Sequence, residues 1–257
     1  MTLGDPAIAG AATPRRLSPP IEIPREILYG RSPSVGVFPE LIETDRLRLE
    51  RFDEALTPRL LYRRASARHS ETIAEEARYV TWSPHDHLEE SASVIQTFRD
   101  RWESRKSATY AVVPDADQPD SGAFAGNAGL SFDWDRQTAT LGIWLRKPFW
   151  GRRYSGERAV ALATVAFERL DLEVVATAVV PANEKSLRAV ERYVDRLGGR
   201  REGRLRNHVA TDDGTVHDAI RFSIAREEFA ARDLEARVDT SEKLERSAID
   251  PGPSATD

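Results

Sequence analysis

The fold is decided by residues Leu141–Glu191, which read LGIWLRKPFWGRRYSGERAVALATVAFERLDLEVVATAVVPANEKSLRAVE. Apolar side chains recur at helical spacing in two parts of this stretch, and a β-branched run of strand length separates them. Pro and Gly residues interrupt the pattern where turns are expected. The predicted elements are a strand at Thr140–Leu145, a loop at Arg146–Tyr154, a helix at Ser155–Leu170, a strand at Glu173–Val180 and a helix at Ser186–Leu197.

This order of elements suits an anionic ligand. A helix that begins at Ser155 directs its first free N–H groups, and the positive end of its dipole, towards one point. Arg146, Arg152 and Arg153 add positive charge to the same loop. The alternative is an ordinary crossover between two strands with solvated arginines, and spacing alone does not separate the two. The glycines are not followed by Lys-Ser/Thr, and G-x-G-x-x-G is absent, so the nucleoside triphosphate and dinucleotide motifs are excluded.

Three motifs in this stretch resemble the GNAT superfamily of N-acetyltransferases, and in particular the branch that acetylates the N-termini of ribosomal proteins. They are Ile143-Trp144-Leu145, then Pro148-Phe149-Trp150-Gly151-Arg152 with Tyr154-Ser155-x-Glu157, then Pro181-Ala182-Asn183-x-x-Ser186 with Glu191. The resemblance extends more weakly over about Leu41–Phe229. It implies an α/β fold with a central mixed, mostly antiparallel sheet of about six to seven strands, flanked by helices and containing a splayed central strand.

The resemblance also implies a reaction and a set of site residues. The reaction is acetyl-CoA-dependent transfer of an acetyl group to a primary amine, of a protein N-terminus or a small molecule, by direct attack. Ser186 would donate to the leaving thiolate, and a backbone N–H near Trp144–Leu145 would polarise the thioester carbonyl. The residues implied to bind acetyl-CoA are Trp144, Leu145, Arg146, Gly151, Arg152, Arg153, Tyr154, Ser155, Gly156 and Asn183.

The chain departs from the family pattern at two positions. Arg153 stands where the family loop usually carries a second Gly, and an Arg restricts φ there. Val190 stands where many relatives have a tyrosine acid. A non-catalytic acyl-CoA-binding or sensing domain is therefore the alternative function. Asn183 and Ser186 also have a structural alternative, as turn or capping residues at the start of a helix.

Composition limits the other functions. The 257 residues carry a formal net charge of −5, which argues against a general nucleic-acid binder. The absence of Cys excludes disulfides and zinc thiolate sites. No apolar run approaches the length of a membrane span and no signal peptide is recognisable, so we expect a cytoplasmic protein. His85-Asp86-His87 lacks a third ligand at a usual spacing, and we expect no metal. A homodimer is compatible with the sequence.

The domain layout follows from the same patterns. We expect a flexible arm over residues 1–40, one acetyltransferase-like domain over 41–230, and a helix end with a disordered tail over 231–257. The domain should begin with one strand at Leu41–Phe52. The remaining expected elements are helices at Pro58–Ala67, Glu71–Val80, Leu88–Ser104 (begun by a capping box, Asp86-x-x-Glu89) and Arg226–Arg237, strands at Thr109–Val113 and Phe124–Phe132, and a hairpin of Arg200–His208 with Val216–Ile224.

Overall fold

A nine-stranded sheet forms the centre of the protein. The structure is a computed structural model, and it describes residues 36–234 and 236–241. The strands are β1 (Leu41–Glu43), β2 (Leu47–Arg51), β3 (Ser107–Pro114), β4 (Gly126–Asp133), β5 (Thr138–Leu145), β6 (Val174–Val179), β7 (Arg200–Ala210), β8 (Val216–Ala225) and β9 (Asp239–Ser241).

The strand order is β7-β8-β6-β5-β4-β3-β2-β1-β9. Only β5 and β6 run parallel, and all other neighbours are antiparallel. The predicted mixed, mostly antiparallel sheet is therefore confirmed, although it has more strands than the six or seven expected. One reason is that Leu41–Phe52 does not form a single strand. It forms β1 and β2, because the chain turns after Glu43 and Leu41 pairs with Glu50.

Seven helices occur in the described residues. They are α1 (Phe52–Ala55), α2 (Pro58–Ala65), α3 (Ile73–Glu76), α4 (Leu88–Glu103), α5 (Tyr154–Thr164), α6 (Glu184–Arg196) and α7 (Arg226–Ala230), with a 3₁₀ turn at Lys147–Phe149 and a π-helical continuation of α5 at Val165–Arg169.

Three helix predictions were wrong in detail. Glu71–Val80 is helical only at α3, and the terminal helix ends at Ala230 instead of Arg237. The capping box before α4 is also absent, because the Asp86 N–H donates to the Glu90 carboxylate at 2.9 Å and not to Glu89. Local propensity could not reveal this one-residue difference, because both carboxylates lie in the first turn of the helix.

Parts of the predicted flexible ends are ordered. Phe38 is buried and stacks on Phe132 with ring centroids 4.9 Å apart, and the Tyr110 hydroxyl donates to the Pro39 carbonyl at 3.0 Å. At the other end, β9 pairs with β1. The prediction of a disordered tail was therefore wrong for these strand residues. Within the predicted arm and tail, residues 1–35, 235 and 242–257 lie outside the described residues.

The sheet separates two hydrophobic clusters. Tyr110 and Val112 of β3 belong to one cluster, and Ala111 and Val113 belong to the other. Alternate residues of a strand point to opposite faces, so the clusters lie on opposite sides of the sheet. The helix α5 packs in the first cluster, whereas α1, α2 and α3 contribute Phe52, Leu60, Leu61, Ala65 and Ile73 to the second. On β5, Leu141 belongs to the first cluster and Trp144 to the second, so the two faces of this strand are also covered by different helices.

Two paired glycines test the packing of this sheet. Gly129 of β4 and Gly142 of β5 are cross-strand partners. A Cβ at Gly129 would lie 2.4 Å from the Ala108 carbonyl oxygen, whereas a Cβ at Gly142 meets nothing within 4 Å. We expect Gly129→Ala to lower the free energy of unfolding by about 1–3 kcal/mol. The matched Gly142→Ala should change it by less than about 0.5 kcal/mol. Urea unfolding monitored by circular dichroism measures both, and equal effects would contradict this packing.

Candidate active site

The central feature of the site is the separation of β5 from β6. The two strands pair only at Thr138↔Val174, Ala139↔Val175 and Thr140↔Ala176. The Thr177 hydroxyl still donates to the Leu141 carbonyl at 3.3 Å. Beyond this point no backbone pair joins the strands, although both continue to Leu145 and Val179. We call the space between them the opening. The predicted splayed central strand is therefore present.

The backbone of β5 presents unpaired polar groups to the opening. The Arg146 N–H donates to the Ala125 carbonyl at 2.9 Å, on the side of β4. Because backbone groups alternate along a strand, Trp144 also faces β4, whereas Ile143 and Leu145 face the opening. The Leu145 carbonyl accepts the indole N–H of Trp150 at 2.7 Å. In the described structure, the N–H and C=O of Ile143 and the N–H of Leu145 have no hydrogen-bond partner.

The loop after β5 connects this unpaired strand edge to the start of α5. Gly151 has φ of 78° and Arg153 has φ of 64°, so both adopt the left-handed conformation. That conformation costs a non-glycine residue about 1–2 kcal/mol. The backbone N–H groups of Arg153, Tyr154 and Ser155 have no acceptor among the described residues. Three backbone donors and the helix dipole therefore converge on a point suited to an anion.

The carboxylate of Glu157 fixes the first turn of α5. It accepts hydrogen bonds from the Thr44 hydroxyl at 2.7 Å and from the Arg46 N–H at 2.8 Å. The Arg46 guanidinium adds a salt bridge at 2.6 Å and also donates to the Arg152 carbonyl at 3.1 Å. The turn between β1 and β2 therefore holds both the loop and the helix. Glu157 points to this turn and not to the free N–H groups, where its charge would repel a phosphate.

Two of the three loop arginines have partners elsewhere. Arg146 donates to the Phe124 carbonyl at 2.7 Å, and Arg152 pairs with Asp120 at 2.8 Å. Burial, helped by the nearby Arg64 charge, lowers the pKa of Arg146 to about 10, so its guanidinium is still charged at neutral pH. Arg153 is exposed, and its guanidinium has no protein partner in the part of the chain that the structure describes. It is the loop arginine best placed to meet an anion at this helix start.

The other predicted site residues are distributed around the opening. The side chains of Trp144 and Tyr154 are buried in the two clusters, so only their backbones or ring edges can meet a ligand. Gly151 is exposed, and a Cβ there would meet nothing within 4 Å. Ser155 and Gly156 lie in the first turn of α5.

Asn183 and Ser186 begin α6, directly after β6. The Asn183 side-chain carbonyl accepts the Ser186 N–H at 3.2 Å, which is the N-cap interaction of this helix. The capping role weighed for Asn183 from the sequence is therefore present. The Ser186 hydroxyl is half-buried and has no partner in the described structure. The Ser186 hydroxyl is consequently available to a ligand, whereas the side-chain carbonyl of Asn183 already accepts the Ser186 N–H.

A largely irregular segment lies over the opening, in the part of the chain where the sequence predicted a helix at Glu71–Val80. This segment, residues 72–85, is named here the cover segment. The Glu76 carboxylate accepts the Lys147 N–H at 2.8 Å, next to the end of β5, and the Tyr79 hydroxyl donates to the Ala182 carbonyl at 3.2 Å, after β6. Ser83 also hydrogen-bonds Asp212 in the β7–β8 turn. The cover segment therefore contacts both sides of the opening.

The His85-Asp86-His87 sequence, where no metal was expected, contains a histidine with a structural partner. His85 is buried, and its Nδ1 lies 2.7 Å from the Ser91 hydroxyl. Burial lowers the pKa of His85. Within residues 36–234 and 236–241, no group of three or more His, Cys, Asp or Glu side chains is arranged to hold a metal ion. No helix in the same residues is long and apolar enough to cross a bilayer.

Comparison with known proteins gives the family. Residues 46–193 match the model of the acetyltransferase (GNAT) domain, which covers more than half of the chain. The chain belongs to the GNAT family of acetyltransferases. The resemblance found in the three sequence motifs is confirmed.

Individual relatives agree with this assignment. The chain is 33% identical over 109 residues to the provisionally named ribosomal N-acetyltransferase YdaF of Bacillus subtilis (strain 168). That match spans 42% of this chain and only 57% of YdaF. A crystal structure of a provisionally assigned acetyltransferase from T. thermophilus is 28% identical, with a TM-score of 0.58 over 75% of this chain and 93% of that one.

One relative informs the fold alone. The microcin C7 self-immunity acetyltransferase MccE, crystallised with acetyl-CoA and AMP, is 16% identical to this chain. Its TM-score is 0.56 over 75% of this chain and 97% of MccE. The GNAT architecture is thus shared with a protein that binds acetyl-CoA, at an identity too low to transfer any residue role.

The left-handed loop residues provide a stability test. Arg153→Gly should raise the free energy of unfolding by up to about 1 kcal/mol, because glycine adopts positive φ without steric cost. Gly151→Ala should lower it by about 1 kcal/mol for the converse reason. Chemical denaturation of both variants measures the pair. If Arg153→Gly were less stable than the wild type, the guanidinium would have to make contacts that this structure lacks.

The cap of α6 provides a second test. Asn183→Ala should lower the free energy of unfolding by about 0.5–2 kcal/mol, because the Ser186 N–H loses its acceptor. Asn183→Asp preserves a side-chain oxygen at the N-cap and should remain near the wild-type value. Thermal melts of the three proteins report the difference. If Asn183→Ala had the same melting temperature as the wild type, the capping hydrogen bond would make no measurable contribution to stability.

Proposed function

We propose that this GNAT protein transfers the acetyl group of acetyl-CoA to a primary amine, either a protein N-terminus or the amine of a small molecule. The observation that carries the proposal is the unpaired edge of β5, which leads through the loop to the free N–H groups of α5. A pantetheine amide chain needs such donors and acceptors along its length, and a pyrophosphate needs the anion site at its end.

The residues present fit acetyl-CoA. Ile143 and Leu145 would bind the pantetheine arm through their backbone groups. Gly151 and the N–H groups of Arg153, Tyr154 and Ser155 would surround the pyrophosphate, since no side chain at Gly151 blocks close approach. Exposed Arg153 would add its charge there. The Arg152 and Arg146 side chains are engaged by Asp120 and Phe124, so they would contribute less than the sequence suggested.

The chain offers two groups for the chemistry. The bound thioester supplies an electrophilic carbonyl and a thiolate leaving group. A backbone N–H of Ile143 or Leu145 would donate to the carbonyl oxygen as negative charge develops there. Trp144, which was considered for this role from the sequence, has its N–H on the β4 side. The Ser186 hydroxyl, free of protein partners after β6, would donate to the sulfur.

The comparisons do not decide between the two acceptor classes. YdaF is named as a ribosomal N-acetyltransferase, which favours a protein N-terminus, although the match covers only part of that protein. A purified sample assayed for free-thiol release with acetyl-CoA, against a panel of peptides and small amines, tests the function directly. Release with at least one amine supports it. CoA binding without any amine-dependent release would favour the non-catalytic acyl-CoA-binding alternative.

Ser186 gives a kinetic prediction. Ser186→Ala should lower kcat by about 100-fold or less, the low end for acid assistance, with the KM for acetyl-CoA nearly unchanged. Ser186→Thr retains a hydroxyl and should recover part of the loss. Steady-state kinetics with the best acceptor of the panel measures this, with melting temperatures as the stability control. An unchanged kcat in Ser186→Ala would remove Ser186 from the chemistry.

A further inference from the structure

Two buried polar atoms lie without partners on the face of β5 opposite to α5. One is Oε2 of Glu76, whose side chain belongs to the cover segment, and the other is Nε1 of Trp144. Glu76 is 7% exposed and Trp144 is 6% exposed. The first atom is an acceptor and the second is a donor. A buried polar group without a partner is costly, so this pair indicates a ligand with a donor and an acceptor of its own.

The position of Glu76 is fixed by its other oxygen. Oε1 accepts the Thr72 hydroxyl at 2.7 Å and the Lys147 N–H at 2.8 Å. The carboxylate is therefore held against the backbone that continues β5. The charged neighbours do not satisfy Oε2: Arg146 interacts with Glu76 only through its charge, and the Lys147 ammonium pairs with Glu75 at 2.5 Å. The position of Oε2 is therefore fixed, and this oxygen can accept a hydrogen bond from a ligand.

The indole of Trp144 is equally constrained. Its ring meets Trp82 edge to face, with centroids 5.2 Å apart, and Phe124 at 6.0 Å. These contacts fix the direction of the N–H, which can only donate. Trp82 belongs to the cover segment and is half-buried, and residues 77–87 form neither helix nor strand. A ligand would reach both atoms by displacing Trp82.

Other carboxylates fit the role less well. Glu75 is exposed and already pairs with Lys147 and with Lys185 at 3.5 Å. Glu50 is buried, but it pairs with Arg48 at 2.8 Å and lies on β2, three strands away from β5. Asp212 hydrogen-bonds Ser83. Glu76 is therefore the carboxylate beside the opening that retains a buried, unused oxygen in the described part of the chain.

We propose that Glu76 and Trp144 form the acceptor-binding site for an α-aminoacyl group. Oε2 of Glu76 accepts a hydrogen bond from the acceptor ammonium, and Nε1 of Trp144 donates to the carbonyl oxygen one carbon away. The acceptor enters from the face opposite to α5, so the two substrates meet at β5 from different sides. This inference rests on the proposed function. It favours amino-acid amides and peptide N-termini over polyamines and amino sugars, which lack the adjoining carbonyl.

Binding to the wild-type protein tests the proposal without any variant. Alaninamide, isopropylamine and propanamide are titrated calorimetrically into protein saturated with CoA. Alaninamide carries both groups, isopropylamine lacks the carbonyl, and propanamide lacks the ammonium. A charge-assisted hydrogen bond corresponds to roughly 10–100-fold in affinity, so alaninamide should bind at least about tenfold more tightly than either analogue. Equal binding of the three, or no alaninamide binding, would overturn the proposal.

Substitutions then test the separate roles of Glu76 Oε2 and Trp144 Nε1. Glu76→Gln preserves Oε1 as an acceptor and removes the charge, and it should weaken alaninamide binding about tenfold or more. Glu75→Gln removes the same charge from the exposed neighbour and should change binding by less than about twofold. Trp144→Phe should weaken alaninamide binding and leave isopropylamine binding unchanged. CoA affinity and the melting temperature serve as controls. Equal effects of the two Glu variants, or none, would contradict the assignment.

This experiment separates the inference from the proposed function. If alaninamide binds as expected but no amine releases thiol from acetyl-CoA, acetyl transfer fails and the aminoacyl site stands. If thiol release occurs with polyamines and alaninamide does not bind, acetyl transfer stands and the aminoacyl site is refuted.

Discussion

The early end of the β5–β6 pairing is the constraint on which the rest of the structure depends. A strand edge that leaves its neighbour must find other partners for its backbone groups. Here the Thr177 hydroxyl and the Trp150 indole satisfy two carbonyls, and the groups of Ile143 together with the Leu145 N–H stay unpaired among the described residues. Because the two faces of β5 are covered by different helices, the same separation would let one ligand approach from the side of α5 and, under our proposal, another from the side of the cover segment.

Contacts from neighbouring residues hold the start of α5 in place, although Arg153 adopts a strained backbone conformation there. Arg153 takes a left-handed conformation that a glycine would adopt at lower cost, and the neighbouring contacts show what holds it there. Glu157 connects the first turn of the helix to Thr44 and Arg46, and Arg46 also binds the Arg152 carbonyl. The departure at Arg153 therefore leaves the loop backbone on the path that a second glycine would allow. Its effect is to replace a flexible residue by an exposed cation beside the proposed anion site.

Local sequence patterns predicted the central part of the fold and much less of its surroundings. The strand–loop–helix–strand–helix order was readable because β5, α5, β6 and α6 each carry their own periodicity. The left-handed conformation of Arg153 and the hydrogen bond from Arg146 to the Phe124 carbonyl could not be predicted from the sequence, because both depend on contacts made after folding. Glu76, Tyr79 and Trp82 were missed for a related reason. They lie in a segment with little regular structure, and Glu76 and Tyr79 contact residues 71 and 103 positions away in sequence.

The central claim is that CoA binds along the unpaired edge of β5 and at the start of α5. Residue-resolved amide hydrogen exchange by NMR, with and without CoA, tests it most directly. The account predicts that CoA slows exchange at Ile143, Leu145, Tyr154 and Ser155. The Trp144 amide, which faces β4, should be protected in both states. Protection of Trp144 that depends on CoA, or unchanged exchange at both Ile143 and Leu145, would contradict the account.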